Sequence, residues 1–571
     1  MADELRKSFR DGKKYYKTEY QSHCEDDKSQ CPDHCRKFGL SDPNDPDFQE
    51  HCAHQHLLTC PQCDDITSCL EKVYQIIKAG ETLSFYSDEQ QDDLLYDVKR
   101  ASDAIKEWKA HIMRSVNQEC AKKDIIGKLD QTSCFLIIDW AVKFLQLRYR
   151  EKQSDWYGKR ELSWHISSVI TRSQSNTTEV ISYAHLFDQC TQDWYAVTSI
   201  LENLLEHLKV RNPLLQKVYL RSDESRCYHN NLLIAAMKDV GKRVGVAVDS
   251  YHYSEPQSGK DICDRILCPM KTSICTYCNE GHDVLTAVDM RDSLTKHPAK
   301  GTTAAISVVN ESRNTLSVHK IEQFSSFHNF RYESSGLRVW KSYGIGKEKP
   351  ISHDDIYTKH QTPTMLLIPE SQGFMIIPGS AKSRIAQKHA RRSKIRHNCS
   401  NPLYMGALML SRPLSKHIFS KLNQFDAIRR DWAQKFASVD IGYSKACSSN
   451  STKLQTSEVP ATASLSLHQG WALSKPRSNA RFSENVREYL TALFTLGERT
   501  GQKADPTQVA AGMRIANKES NERLFSREEW LTKTQVQSFF SRLAVKRRQG
   551  QGVIDLSDEQ DEDVQCLQRA F

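Results

Sequence analysis

This sequence has no long hydrophobic run. Its most apolar stretch, FLIIDWAVKFL (Phe135–Leu145), is short and carries Asp139 and Lys143, so nothing here is expected to span a membrane. The opening MADELRKSFRDGKKYYK has no apolar core and is not expected to act as a secretory signal. No internal repeat occurs. A hydrophobic fraction of 39% is low for one compact globule and suits one real core with tails. Cysteine, by contrast, is plentiful. Eighteen cysteines without a secretory signal point to reduced thiols and metal ligands rather than a disulfide framework. The expectation is a soluble intracellular protein whose 571 residues hold three or four domains of about 150 residues each.

Charge of one sign is scarce overall, at a formal +8, but it is unevenly spread. From Trp471 to Gly550 there are 15 Lys/Arg against 8 Asp/Glu. A second basic run, KSRIAQKHARRSKIRH, spans Lys382 to His397, whereas DLSDEQDED (Asp555–Asp563) is acidic. Basic segments of this kind mark nucleic-acid contact or nuclear import, or simply a solvated face.

Along the chain, residues 20–70 are rich in Cys and His. Residues 85–125 read as a helical connector, with Val98, Ala101, Ile105, Trp108, Ile112 and Val116 on one face. Such a stripe either packs on a neighbouring domain or joins two copies as a homodimer. Residues 130–290 read as strands CFLIID, WHISSVITR and TEVISYAHLF, a helix QDWYAVTSILENLLEHLK, and a strand KVYLRSD. A helix NNLLIAAMKDVG stopped by Gly241, a strand RVGVAVDSY and a helix GKDICDRILCPMK follow. That order argues a mixed α/β sheet with helices on its faces. A β-rich extension is expected over 300–370 and a basic run with a flexible linker over 380–470. A helical unit covers 471–550, and 551–571 form an acidic tail.

Three acids stand at the ends of the proposed core elements: Asp139, Asp223 and Asp264. Asp261 and Glu255 compete for the third place. A carboxylate at the end of a buried strand is costly unless it finds a cation or hydrogen-bond donors. Three that converge would hold Mg²⁺ or Mn²⁺ through hard oxygen ligands, suited to phosphodiester cleavage or strand transfer. In this order, LRSDESRCYHNN (Leu220–Asn231) resembles the second-aspartate motif of eukaryotic cut-and-paste DDE/DDD transposases. EPQSGKDICDRILCPMK is similar to their Gly-Lys-x-x-Cys-Asp motif, which would put the third acid at Asp264. The resemblance covers roughly 130–285 and implies an RNase H-like mixed sheet core, DNA as partner and substrate, and Asp139, Asp223 and Asp264 as the catalytic carboxylates.

The N-terminal series Cys24, Cys31, Cys35, Cys52, His54, His56, Cys60 and Cys63 supplies soft ligands for Zn²⁺. Its Cys60-Pro-Gln-Cys63 knuckle lets two thiolates meet one tetrahedral ion. Eight candidates suit two ions, with the pairing open. A second set lies in the core: Cys227, His229, Cys263, Cys268, Cys275, Cys278 and His282. Cys227, His229, Cys278 and His282 could tie the turn after Asp223 to the segment after Asp264 through zinc, or they are ordinary buried side chains.

At the C-terminal end, three helical patterns with a basic last segment resemble a homeodomain-like helix-turn-helix. That resemblance implies DNA contact from Arg542, Lys546, Arg547 and Arg548. The run GVIDLSDEQDED looks like a SUMO-interaction motif, which suits a nuclear protein. Two other functional classes stay open beside the metal-dependent nuclease. One is a catalytically silent DNA-binding regulator, and the other is an interaction protein assembled through the zinc module and the Val98–Val116 stripe.

Overall fold

The computed structural model describes residues 2–26, 28–80, 87–152, 155, 159–258, 261–309, 316, 318–357, 367–369, 467–474, 482–518 and 522–548. The basic run 382–397 and the acidic tail with its SUMO-interaction-like motif lie outside the described residues. Helices α1 (Ala2–Thr18), α2 (Tyr20–Glu25), α3 (Arg36–Leu40) and α4 (Pro61–Ala79) surround the Cys/His-rich segment. They lie against the middle of the 41-residue helix α5 (Asp88–Lys128). Ser87 caps α5 by accepting from the Gln90 amide. The stripe read from sequence is buried within the chain: Ile105, Trp108, Ile112, Met113 and Val116 join Tyr16, Tyr20, Leu40 and Ile66 in one cluster. The packing alternative holds because the N-terminal module already covers this face.

The core is an eleven-stranded mixed sheet among the described residues. Its strands are β1 (Ser133–Trp140), β2 (Phe144–Leu145), β3 (Glu161–Arg172), β4 (Thr178–Phe187), β5 (Lys217–Ser222) and β6 (Ala247–Tyr253). They continue with β7 (Thr302–Val309), β8 (Asn329–Tyr332), β9 (Gly336–Trp340), β10 (Lys349–Ser352) and β11 (Leu367–Pro369). In space the order is β10-β9-β8-β6-β5-β1-β3-β4-β7-β11, with β2 beside β3. β1, β3 and β4 are antiparallel neighbours, whereas β1, β5 and β6 are parallel. The strands of segment 300–370 join the core sheet itself. β7 continues the sheet beyond β4, and β8–β10 continue it beyond β6, because each edge exposes unpaired backbone groups that another strand satisfies. Within this segment Val318 and Tyr357 form an isolated antiparallel bridge.

Alternation along β1 divides the helices between the two faces. Cys134, Leu136 and Ile138 meet α6 (Trp194–Arg211) and α7 (Asn231–Val244). Phe135 and Ile137 meet α8 (Ile262–Asn279), α9 (Ala287–Lys296) and the end of α5. Helix α7 passes Gly241 and ends at Gly245, so Gly241 is not the stop read from sequence. A Cβ at Gly241 would lie 2.7 Å from the Val246 carbonyl oxygen, so this glycine serves close approach to the next strand. The short helix α10 (His353–Ile356) closes the β9–β10 edge.

The C-terminal unit has the three helices read from sequence: α11 (Glu484–Thr500), α12 (Pro506–Gly512) and α13 (Lys533–Arg548). Val486, Leu490, Val509, Met513, Phe525, Trp530, Val536, Phe539 and Leu543 form its core. No helix of the described residues is long and apolar enough to cross a membrane.

Candidate metal centres

Strand parity brings the first two aspartates together. On β1, Asp139 follows Phe135 and Ile137 on the face that meets α8; on β5, Asp223 follows Tyr219 and Arg221 with the same parity. Ile137 pairs with Arg221 at the last rung of the parallel β1–β5 ladder, and Asp139 and Asp223 each lie two residues further along their chains. The third comes from α8. Cys263 is buried and donates its thiol to the Ile137 carbonyl oxygen at 3.1 Å, seating the first helical turn on β1 with Asp264 next in sequence. The electrostatics agree. The half-buried Asp139 carboxyl is pushed up to about 8, first by burial, then by the negative charges of Asp223, Asp264 and Asp261. Asp223 Oδ1 accepts from the Ser225 amide (2.9 Å) and hydroxyl (2.7 Å), which fixes the turn leaving β5.

The competing acids have other partners. Asp261 caps α8 through the Ile262 amide and pairs with Lys122 at 2.8 Å and Arg221 at 3.9 Å, so its carboxyl is held down at about 2. Glu255 lies 2.7 Å from Arg114 Nε and 3.0 Å from His111 Nδ1, and it too is held at about 2. Both carboxylates are thus held in ion pairs with α5. Glu224, one residue past Asp223, is buried 2.9 Å from His328 Nε2. That carboxylate raises His328 to about 9.

The Cys/His-rich segment resolves into two groups. Cys35, Cys52, His54 and His56 bring their ligand atoms within 4.8 Å of one another, as do His23, His34 and Cys60. In the first group Cys35 Sγ lies 3.6 Å from both Cys52 Sγ and His54 Nε2. A tetrahedral zinc with its usual bond lengths sets S···S and S···N edges of about 3.8 and 3.6 Å. The first group can therefore hold an ion such as zinc with little rearrangement. In the second, the Tyr15 hydroxyl lies 3.0 Å from His23 Nδ1, 3.0 Å from His34 Nε2 and 3.2 Å from Cys60 Sγ. Cys63 Sγ stands 3.8 Å from His34 Nε2. Here a hydroxyl already satisfies the ligand atoms, so the first group is the stronger metal centre.

Of the eight ligands read from sequence, six lie in or beside these groups. Cys24 is buried among Tyr15, Tyr16 and Tyr20, and Cys31 points its thiol at Asp33 Oδ2 (3.7 Å). Sequence reading missed His23 and His34. The available signal was their place in the same HCEDDKSQCPDHC stretch. One helical step turns a side chain by about 100°, which aims His23 at Tyr15 while Cys24 enters the core.

The second set in the core does not assemble. His229 Nε2 lies 3.1 Å from the Phe327 carbonyl oxygen and its ring meets Tyr253 and Phe324. Cys227 packs against the cluster on the α6–α7 face. Cys278 is buried on the opposite face, and His282 stacks on Tyr277 at 4.2 Å. Fourteen helical steps lead from Asp264 to Cys278, about 21 Å along α8. Cys268 and Cys275 are exposed, and Cys263 serves the α8 anchor.

On α13, Arg542 lies over the Phe539 ring at 5.9 Å and Arg547 pairs with Glu498 at 3.0 Å. Lys546 is half-buried on the same helix, and the Arg548 side chain lies outside the described residues.

A domain of unknown function, DUF8701, matches residues 118–336. The match runs from the end of α5 to the start of β9. It includes Asp139, Asp223 and Asp264 and leaves out the Cys/His groups and the C-terminal helices. A search of curated proteins found no match.

Proposed function

We propose that the chain is a transposase-like, cation-dependent DNA strand-cleaving or strand-transfer protein with an RNase H-like core. Its ligands for Mg²⁺ or Mn²⁺ would be Asp139, Asp223 and Asp264. The observation that supports this reading is electrostatic: burial and the negative charges of Asp223 and Asp264 raise the Asp139 carboxyl. Its support in the fold is the neighbour order β4-β3-β1-β5-β6, antiparallel on one side of β1 and parallel on the other. The donor set fits a hard divalent cation, because oxygen ligands crowded enough to repel one another gain when a 2+ charge enters. When bound, such ions would supply water or hydroxyl activation and stabilise the leaving oxygen of a phosphodiester.

The chain's own residues do the positioning. Ser225 holds Asp223, Cys263 seats the α8 turn that bears Asp264, and Asp261 with Lys122 pins the start of α8 to α5. The basic α13 and its unit would supply DNA contact in a nucleus. Mg²⁺-dependent nicking of duplex DNA by the wild type, abolished in Asp223→Ala, is the expected result. Equal, salt-sensitive DNA binding by both proteins with cleavage by neither would replace the nuclease by a silent DNA-binding regulator.

A further inference from the structure

Between two stretches outside the described residues, Leu467–Ser474 lies firmly on the N-terminal module. The Gly470 amide donates to the Phe38 carbonyl oxygen at 2.9 Å, and the Ala472 amide donates to that of Gly39 at 2.8 Å. Gln469 Nε2 donates to the Ser41 hydroxyl (2.8 Å) and the Glu50 carbonyl oxygen (3.0 Å). The Trp471 indole donates to the Pro32 carbonyl oxygen at 3.2 Å, while the Lys109 ammonium sits 4.7 Å from its ring centroid. Arg114 donates to the Ala472 carbonyl oxygen at 2.8 Å, closing the far end.

Each position is specified by shape as well as by polarity. Gly470 has φ +80, and a Cβ there would stand 2.7 Å from the Ser41 carbonyl oxygen. Ala472 is fully buried, which leaves no room for a longer side chain. Backbone pairing that supplies attachment, together with fitted side-chain positions that supply selectivity, is how folded domains read short peptides.

We propose that the N-terminal module is a peptide receptor as well as a metal centre, and that its ligand is this chain's own Gln469–Ala472 segment. Only a short stretch separates this segment from Ser483, which caps the first helix of the C-terminal unit. That unit touches the N-terminal half at a second place. Arg514 pairs with Asp97 at 2.7 Å, and Arg523 and Arg527 both reach Asp93, at 2.7 and 2.9 Å. Two attachments joined by a short linker reinforce each other through effective concentration. The peptide contact therefore holds the helical unit at one end of α5.

A fluorescent peptide of residues 465–476, titrated into full-length protein, tests the assignment by anisotropy. It should bind the full-length Trp471→Ala protein, whose own segment is weakened, and bind the wild type about tenfold or more weakly because the groove is filled. The same peptide carrying Gly470→Val should not bind. Failure of the wild-type peptide to bind Trp471→Ala protein, or equal binding of both peptides, overturns the proposal. Should Trp471→Ala misfold, hydrogen exchange in unsubstituted protein decides. Slow exchange at the Gly470 and Ala472 amides that quickens under excess peptide supports a displaceable ligand, and fast exchange without peptide rules it out.

Discussion

Asp139 is where burial and neighbouring charge meet most directly. Its folded carboxyl titrates at about 8, above the ordinary carboxylate value, so folding favours the protonated form. The sign follows: this residue's contribution to stability is greatest at low pH and is lost as pH rises through about 8. Without divalent cations at pH 8, Asp139→Asn should melt a few degrees above the wild type. Adding Mg²⁺ should then raise the wild-type melting temperature and leave that of Asp139→Asn nearly unchanged. Differential scanning fluorimetry reads both, and a stabilising Mg²⁺ response in Asp139→Asn equal to the wild type's would remove this residue from the proposed cation site.

His328 offers a second, opposite-charge case. Glu224 raises it to about 9, so the pair is fully formed between about pH 4.5 and 6.5 and its contribution fades as pH rises through about 9. Replacing one partner of a buried pair costs about 3–5 kcal/mol. In urea titrations, His328→Gln should show that loss near pH 6.5 and little of the wild type's decline between pH 6.5 and 9. Parallel curves for the two proteins would place the pH dependence elsewhere.

At the scale of elements, the loop framed by α3 and α4 depends on Cys35, Cys52, His54 and His56. Cys52→Ser should lower the zinc content of purified protein by about one equivalent. His23→Ala should lower it less, because Tyr15 already occupies the ligand atoms of its group. Metal analysis of both variants distinguishes them, and unchanged zinc in Cys52→Ser would disqualify the first group. The strands and helices around the carboxylates were readable because period-2 and period-3.6 burial is written directly in side-chain polarity. Gly241 was misread as a helix stop because the feature that excludes a side chain there, the Val246 carbonyl, belongs to the following strand. The proposed link of Cys227 and His229 to Cys278 and His282 failed similarly. Spacing along the chain does not reveal that α8 carries Cys278 away from the β5 turn.

Across the whole molecule, α5 is the common support. Its first third receives the C-terminal unit, its middle receives the Cys/His-rich module, and its end packs under the sheet. Arg523 and Arg527 meet the partly exposed Asp93 in pairs that salt weakens, whereas Arg514 holds the buried Asp97 through two hydrogen bonds. Asp93→Lys turns two attractions into repulsions. Small-angle scattering should show a larger radius for this variant at low salt, and a similar expansion of the wild type at high salt. An unchanged radius in Asp93→Lys would mean that the remaining contacts, Arg514 with Asp97 and Trp530 edge-on against Tyr96 at 5.8 Å among them, suffice to hold the unit.

By itself the sequence determined the succession of strands and helices, the two carboxylates at strand ends, and the abundance of metal-binding side chains. Those features follow from local periodicity and from the cost of burying charge. Only the tertiary structure decided the rest. That Lys122 and Arg221 hold Asp261, and that His111 and Arg114 hold Glu255, follows from contacts between distant elements. Which ligands group together depends on a one-step rotation that separates His23 from Cys24. Where Gln469–Ala472 binds depends on backbone carbonyls of Phe38 and Gly39 more than 400 residues earlier. Backbone acceptors are the same in every residue, so no sequence pattern announces which of them will face a distant segment.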